Sequence, residues 1–186
     1  MKKILMTLFV AAMAMTVNAQ VYLGGSVGVG SVKFGHNDAE TTYKFMPEIG
    51  YNLNSDWAIG VVLGYQKGAC KLGNGNYGQD VDTELLQISP YVRYTVFKSN
   101  LINAFVDGGV GIGSYKDMGT QFQLGLRPGV AVNLNRNTSF VAHFGFVGFD
   151  SFSPKGDGDS SNTVGVDLDG NNITFGLYIN FEAKAD

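Results

Sequence analysis

Close to the end of the chain the sequence reads Asn172-Ile173-Thr174-Phe175-Gly176-Leu177-Tyr178-Ile179-Asn180-Phe181. The large apolar side chains share one parity: Ile173, Phe175, Leu177, Ile179 and Phe181. The residues between them are polar, small or amphipathic. A period of two is typical of a β-strand whose two faces meet different surroundings. The stretch therefore predicts a two-faced strand over 172–181.

Seven earlier segments repeat this alternation, at about 20–32, 42–52, 57–67, 84–96, 101–114, 121–134 and 140–149. In each segment one parity is apolar and free of charge, and in the last of the seven it comprises Phe140, Ala142, Phe144 and Phe146. The opposite parity carries charged side chains, amides and many glycines. The chain is therefore predicted to be all-β, with eight strands.

The apolar parity is either the core of a soluble sandwich or the lipid-facing surface of a barrel with a polar interior. Aromatic placement favours lipid. Near one end of the strands this parity carries Tyr51, Trp57, Tyr94, Phe140 and Phe181, and near the opposite end it carries further aromatics that include Tyr65 and Phe122. Two aromatic girdles around an aliphatic band are typical of a membrane-spanning barrel.

Link lengths and strand lengths favour the same interpretation. The links at 53–56, 97–100 and 135–139 are short, whereas those at 33–41, 68–83 and 150–171 are long and the link at 115–120 is intermediate. Short links alternate with the longer ones along the chain. Strands of about 11 residues, tilted by about 40°, rise roughly 28 Å, which matches the apolar band of such barrels. Because lipid offers no partner to a sheet edge, the last strand is predicted to pair with the first.

Four segments carry a resemblance to a known family: Met46–Asn54, Trp57–Gly60, Ile88–Tyr94 and Val106–Gly111. The chain resembles the small eight-stranded outer-membrane β-barrels of the OmpA/OmpX type. The resemblance implies an antiparallel up-and-down barrel in the outer membrane of a Gram-negative bacterium, with both termini in the periplasm. Such barrels usually end on the aromatic residue of the last strand, whereas here Phe181 is followed by Glu182–Asp186.

The resemblance also implies partners. We expect contact with the lipid bilayer, lipopolysaccharide and the barrel-assembly machinery, and an extracellular ligand or surface is expected to meet the loops 68–83 and 150–171. The barrel is expected to be a monomer. A net charge of −3 argues against a nucleic-acid partner.

The first residues read as a targeting segment. Met1–Ala19 combines a basic start, an apolar run and small residues before Gln20, which is typical of a secretory signal peptide. Residues 20–186 are then the barrel domain. The single cysteine, Cys70, cannot form an intramolecular disulfide, and it is predicted to lie in a glycine-rich loop.

Six charged or titratable residues are predicted to face the barrel interior: Lys44, Glu48, Arg93, Asp107, Arg127 and His143. They could form a salt-bridged plug or line a gated pore, and eight strands leave an interior only just wide enough for side chains. The plug predicts that Arg93 or Arg127 contacts Glu48 or Asp107. Separately, Pro47, Pro90 and Pro128 lack a ladder donor and are expected at β-bulges.

Other motifs give weaker signals. Gly108–Gly113 is not followed by a helix, so it does not predict a phosphate loop. Asp167–Asn171 resembles part of a calcium loop but lacks the closing Glu. His143 has no serine of the same parity beside it. We therefore predict no catalytic residue, no metal and no cofactor.

The predicted function is a non-enzymatic outer-membrane barrel, a structural or surface-interaction protein that displays extracellular loops. One alternative is a narrow porin-like channel for small solutes. The other, weaker alternative is a lipid-modifying outer-membrane enzyme.

Overall fold

The structure, a computed structural model, describes residues 20–32, 40–68, 84–156, 158–167 and 173–182. These residues form ten strands: β1 (Gln20–Val32), β2 (Glu40–Asn52), β3 (Trp57–Lys67), β4 (Glu84–Lys98), β5 (Ile102–Tyr115), β6 (Gly119–Asn133), β7 (Thr138–His143), β8 (Phe146–Pro154), β9 (Ser161–Asp167) and β10 (Thr174–Glu182). None of the described residues forms a helix long and apolar enough to cross a membrane. The predicted signal segment, Cys70 and most of the calcium-like segment lie outside the described residues.

The strands close into an eight-stranded antiparallel barrel, as predicted. Strands β1 to β7 pair in chain order, and β10 lies between β7 and β1. The closing pair joins Gln20 to Glu182, so the first and last strands share one end of the barrel. We call this end, which also carries the short links, the turn end, and the opposite end the loop end.

The last strand has the two faces that its alternation predicts. Phe175 and Leu177 are each 54% exposed on the outer surface, whereas the inward-facing Tyr178 is only 5% exposed. A polar interior inside an apolar exterior is the arrangement of a barrel that faces lipid.

The short links at the turn end are shaped by asparagine. The Asn54 side-chain oxygen accepts hydrogen bonds from the backbone N–H groups of Asp56 and Trp57, at 2.8 and 2.9 Å. Asn135 accepts one from Asn137 in the same way, at 2.9 Å. Such side-chain contacts replace a backbone turn and allow a tight reversal between strands.

The seventh predicted strand is interrupted, and the prediction was wrong about Phe146. Gly129 pairs with His143 and Leu126 with Val147, so the chain carries one extra residue between β7 and β8. Gly145 takes a φ of 76° at this bulge, which glycine tolerates best. An extra residue reverses the side-chain alternation. Phe146, predicted on the outer face, therefore lies inside the barrel, where it covers Gly125.

The prolines match the expected bulges only in part. Pro128 lies beside the extra residue, and its carbonyl accepts a hydrogen bond from the Phe144 N–H at 3.0 Å. At Pro47 and Pro90 one ladder is interrupted, but the register is the same on both sides of the proline. The other bulge lies between Thr95 and Phe97. The missing backbone N–H of a proline thus interrupts the hydrogen bonds to one neighbouring strand, but it does not require an inserted residue.

The predicted loop 150–171 was also wrong in part, since much of it is a hairpin. β8 continues the wall of the barrel to Pro154, and β9 returns antiparallel to it. Among the described residues, β9 pairs with β8 alone. On the other side of this region β1 pairs with β10 only as far as Gly25 and Leu177, although it pairs with β2 up to Val32. The ladder between β1 and β10 therefore ends part-way along the wall.

Large rings fill the barrel where the facing strand carries glycine. A Cβ atom on Gly50 would lie 2.1 Å from the Tyr22 ring, and one on Gly60 would lie 2.4 Å from the Tyr91 hydroxyl. Tyr22, Tyr91, Tyr178 and Phe105 are all buried, with exposures of 2 to 9%. The inward glycines therefore make room for a cross-strand aromatic layer.

Candidate functional site in the barrel interior

The central interaction of the interior is an ion pair between neighbouring strands. The register places Arg93 of β4 opposite Asp107 of β5. Arg93 donates from Nε to Asp107 Oδ1 at 2.7 Å and from Nη2 to Oδ2 at 2.8 Å. Both residues are less than 10% exposed. This two-point geometry is the strong form of an arginine–carboxylate contact.

A second carboxylate lies beside the same cation. Glu48 Oε1 lies 3.6 Å from Arg93 Nη2. The Tyr178 hydroxyl donates to Glu48 Oε2 at 2.6 Å, and the Tyr91 hydroxyl donates to Oε1. Buried charges are tolerated when they are paired and their remaining lone pairs are satisfied. The predicted contact of Arg93 or Arg127 with Glu48 or Asp107 is present, since Arg93 contacts both carboxylates.

His143 joins the same group from β7. Its Nε2 atom lies 2.9 Å from Asp107 Oδ2 and 3.4 Å from Arg93 Nη2. Its ring also meets the Phe105 ring edge-on, with centroids 5.3 Å apart. Asp107 therefore holds two groups from strands that lie on opposite sides of β5 and β6.

Four aromatic rings surround the Arg93 guanidinium. Its Cζ atom lies 3.9 Å from the Phe105 centroid and between 5.2 and 5.7 Å from those of Tyr22, Tyr91 and Tyr178. Cation–π attraction strengthens in such desolvated surroundings. Sequence reasoning missed these rings as site residues, although their inward parity beside glycine-rich strands was a usable signal. We call Glu48, Arg93, Asp107, His143 and the four rings the Arg93 cluster.

The Arg93 cluster lies between two cavities. A cavity of about 520 Å³ extends toward the loop end and is lined in part by Glu48, Tyr91, Asp107 and His143. A second one, of about 650 Å³, extends toward the turn end and is lined in part by Tyr22, Arg93 and Phe105. We call them the outer and inner cavity. Tyr178 contributes to the walls of both.

Two predicted interior residues stay outside this cluster. Arg127 lies opposite Asp107 in the β5–β6 register, yet its Nη2 atom donates to Gln123 Oε1 at 3.0 Å. Its guanidinium carbon also lies 5.7 Å from the Phe146 ring centroid. Lys44 lines the outer cavity. The six predicted charged residues thus divide into a central four and two toward the loop end.

Comparison with known proteins agrees with this geometry. The family described as "Outer membrane protein beta-barrel domain" matches residues 4–181. The chain belongs to that family. Among solved structures it is similar to Neisserial surface protein A, with a TM-score of 0.56 and 14% identity, over 88% of this chain and 98% of that one. A comparison with curated proteins found no match.

This outer-membrane barrel protein therefore resides in the outer membrane and associates with its lipid bilayer. The seven aromatics predicted at the membrane interfaces all lie on the outward parity: Tyr51, Trp57, Tyr65, Tyr94, Phe122, Phe140 and Phe181. Tyr65 is half-buried and the other six are exposed. Trp57 and Tyr94 are register partners with ring centroids 4.7 Å apart. Their role at the interface stays a prediction.

Proposed function

We propose that this outer-membrane barrel is a non-enzymatic, non-conducting protein that acts through contacts made at its loop end. The Arg93 cluster is the observation that carries this proposal. Its ion pairs join β2, β4 and β5 across the interior, and its rings fill the space around them. A solute would have to part these groups in order to pass.

Energetics favour a closed interior. Removing one partner of a buried ion pair costs roughly 3–5 kcal/mol, because the other charge is left uncompensated. Separating Arg93 from Asp107 during each passage would incur a penalty of this kind. Such a penalty would lower the rate of passage roughly a hundred- to several-thousand-fold relative to an unobstructed interior. Liposomes carrying the wild-type protein should swell no faster in small sugars than empty liposomes, and rapid swelling would contradict the proposal.

The non-enzymatic part of the proposal is supported by the surroundings of His143. A serine hydrolase needs a serine within hydrogen-bond reach of a histidine that an acid orients. His143 does contact Asp107, but none of its hydrogen-bond partners among the described residues is a serine. Incubation with lipopolysaccharide and phospholipid, followed by mass analysis, should reveal no modified lipid. A modified acyl group would contradict this part.

We infer that both termini are periplasmic and that the loop end faces outward. This orientation is supported by the links at 53–56, 99–101 and 134–137, which are all short and share one end of the barrel with Gln20 and Glu182. At the opposite end the β5–β6 link, 116–118, is equally short. In a Cys70→Ser background, Ser160→Cys should react with a membrane-impermeant maleimide in intact cells. Ser55→Cys, equally exposed but at the turn end, should react only after the outer membrane is permeabilised. The reverse pattern would invert the orientation.

The β8–β9 hairpin and the loop 68–83 are the proposed contact region. All seven residues of β9 are exposed, and among the described strands only β8 pairs with it. Such a strand can meet lipopolysaccharide, a ligand or a host surface. We also propose that the chain is a monomer that is inserted by the barrel-assembly machinery.

A shortened hairpin tests the contact region. Asp150 and Thr163 are register partners, so residues 151–162 can be replaced by a two-residue Asn-Gly turn. Cells producing this variant should lose adhesion or agglutination relative to wild type, while heat-modifiable gel mobility reports an intact barrel. Unchanged adhesion with a folded barrel would remove the hairpin from the proposal.

A further inference from the structure

The outer cavity is lined by a half-buried cation, Arg127, whose donors are mostly unused. An arginine carries five N–H donors. The described residues provide Arg127 with one hydrogen bond, to Gln123, and none of their ion pairs includes it. A guanidinium removed from water without a paired anion is costly. The cavity therefore offers a cation that an incoming anion could stabilise.

The carboxylate nearest in register is already occupied. Asp107 is the register partner of both Arg93 and Arg127. Arg93 takes both of its oxygens and His143 shares Oδ2. Arg127 turns instead toward Gln123, four residues nearer the loop end on its own strand. The Arg93 cluster thus directs Arg127 into the outer cavity.

A second carboxylate, that of Asp150, also has hydrogen-bond partners already. Asp150 Oδ2 accepts hydrogen bonds from the side-chain amides of Gln121 and Gln123, both at 2.6 Å. Gln123 thus stands between Asp150 and Arg127, and its amide oxygen accepts from Arg127. The amide orients the guanidinium without neutralising it. The Arg127 donors that remain are available to a ligand in the cavity.

One apolar side chain lies beside Arg127, and others line the same cavity. Phe146 lies against the guanidinium, and Met46, Val62 and Leu85 also line the cavity. A volume of about 520 Å³ falls within the range of roughly 300–1,000 Å³ found for small-molecule pockets. Lys44 also lines the cavity, and Arg127 has an aromatic ring against it. This pairing of a guanidinium with a ring favours a ligand with one anionic group and an apolar body.

Residues of β1 and β10 also line the cavity, namely Gly25, Ser26, Thr174 and Gly176. Among the described residues, the β1–β10 ladder ends at Gly25 and Leu177. A carboxylate with an apolar body offers the same chemistry to this site whether it comes from lipid or from water.

We propose that the outer cavity binds a small amphipathic carboxylate, with Arg127 on the carboxylate group and Phe146 against the apolar body. This goes beyond the proposed function, and conductance and labelling test that function independently. The loop-end half of the barrel would then bind a ligand, while the Arg93 cluster closes the middle of the barrel.

Calorimetry on the detergent-solubilised full chain tests the site. The probes are decanoate, hexanoate, decanol, which keeps the apolar body without the charge, and acetate, which keeps the charge without the body. Decanoate or hexanoate should bind saturably at one site per barrel. Decanol and acetate should bind at least roughly tenfold more weakly, the loss expected for one charge-assisted contact. If decanoate binds saturably and hexanoate does not, the natural ligand is one carried in the membrane. If hexanoate binds as well, the ligand can also come from water. Both outcomes support the site.

Matched variants keep the proposal falsifiable. Arg127→Met should weaken carboxylate binding roughly ten- to a hundred-fold, and Arg127→Lys should restore part of it. Arg136→Met makes the same replacement in a turn-end link and should leave binding unchanged. Equal binding by wild type and Arg127→Met, or no saturable binding by wild type, would overturn the proposal. A heat-modifiability gel verifies that each variant is folded.

Discussion

The middle of the barrel and its outer cavity each contain an arginine that faces Asp107 in the register, yet the two arginines differ in their partners. Arg93 has two carboxylates within 4 Å and four rings around it, whereas Arg127 has one amide and one ring. Strand register brings groups together, but the capacity of the shared acceptor decides which pair forms. The first arginine then stabilises the fold, and the second is left for binding.

The strongest challenge to this comparison is Arg93→Met. Loss of the guanidinium leaves Glu48 and Asp107 buried without their cation, so the free energy of unfolding should fall by roughly 3–5 kcal/mol. Urea unfolding in lipid vesicles measures the loss. Arg127→Met is the matched control and should cost clearly less, because no carboxylate depends on it. Equal losses of unfolding free energy in the two variants would contradict the proposed difference between the middle of the barrel and the outer cavity.

The second-largest loss of stability is expected from overpacking of the aromatic layer. In Gly60→Ala the new methyl group would lie 2.4 Å from the Tyr91 hydroxyl, and the ring would have to move. Such overpacking costs about 1–3 kcal/mol. Gly165→Ala, on β9, is the matched control because a Cβ there meets nothing within 4 Å. If both variants unfold at the same urea concentration, the layer is not tightly packed.

A smaller effect is expected when one hydroxyl is removed from the middle. Tyr178→Phe deletes the donor to Glu48 but keeps the ring, so the free energy of unfolding should fall by about 1–2 kcal/mol. Tyr51→Phe, on the outward parity of β2, should change it little. A loss at Tyr51 as large as the loss at Tyr178 would show that the assay does not separate interior from exterior.

The turn end should give the smallest effect. Lys98, with Ser55, holds the pKa of the Asp56 carboxyl below its usual value through hydrogen bonds and charge. Because the pKa is lowered in the folded state, the contribution is present above the unfolded pKa and is lost as pH falls through the folded one. The pair is exposed, so added salt should remove most of the effect. Melting curves of Asp56→Asn at neutral and acidic pH test this, and an effect that survives high salt would contradict it.

The sequence predicted the barrel well because its alternation is local and repeated. A charge-free parity through 172–181 and seven earlier segments is enough to assign inside and outside, and lipid then requires closure. The failure at Phe146 has an equally local cause. One inserted residue at Gly145 reverses the parity, and a lone glycine in a glycine-rich chain does not reveal it.

The composition of the candidate site was predicted, but its pairing was predicted only in part. The interior set contained Arg93, Asp107 and Glu48, and the expected contacts are present. Sequence reasoning treated Arg93 and Arg127 as equivalent, because both share the inward parity. Their difference depends on strand register and on one carboxylate already being shared with His143, and neither follows from spacing along the chain.

Single-channel recording in a planar lipid bilayer tests the closed middle most directly. Wild-type protein should give no discrete conductance steps, because the Arg93 cluster separates the outer and inner cavities. The triple variant Glu48→Ala, Arg93→Ala, Asp107→Ala removes the ion pairs without leaving any of the three charges unpaired, and it should give steps. Steps from wild type that the triple variant leaves unchanged in size would contradict a barrel closed at this cluster.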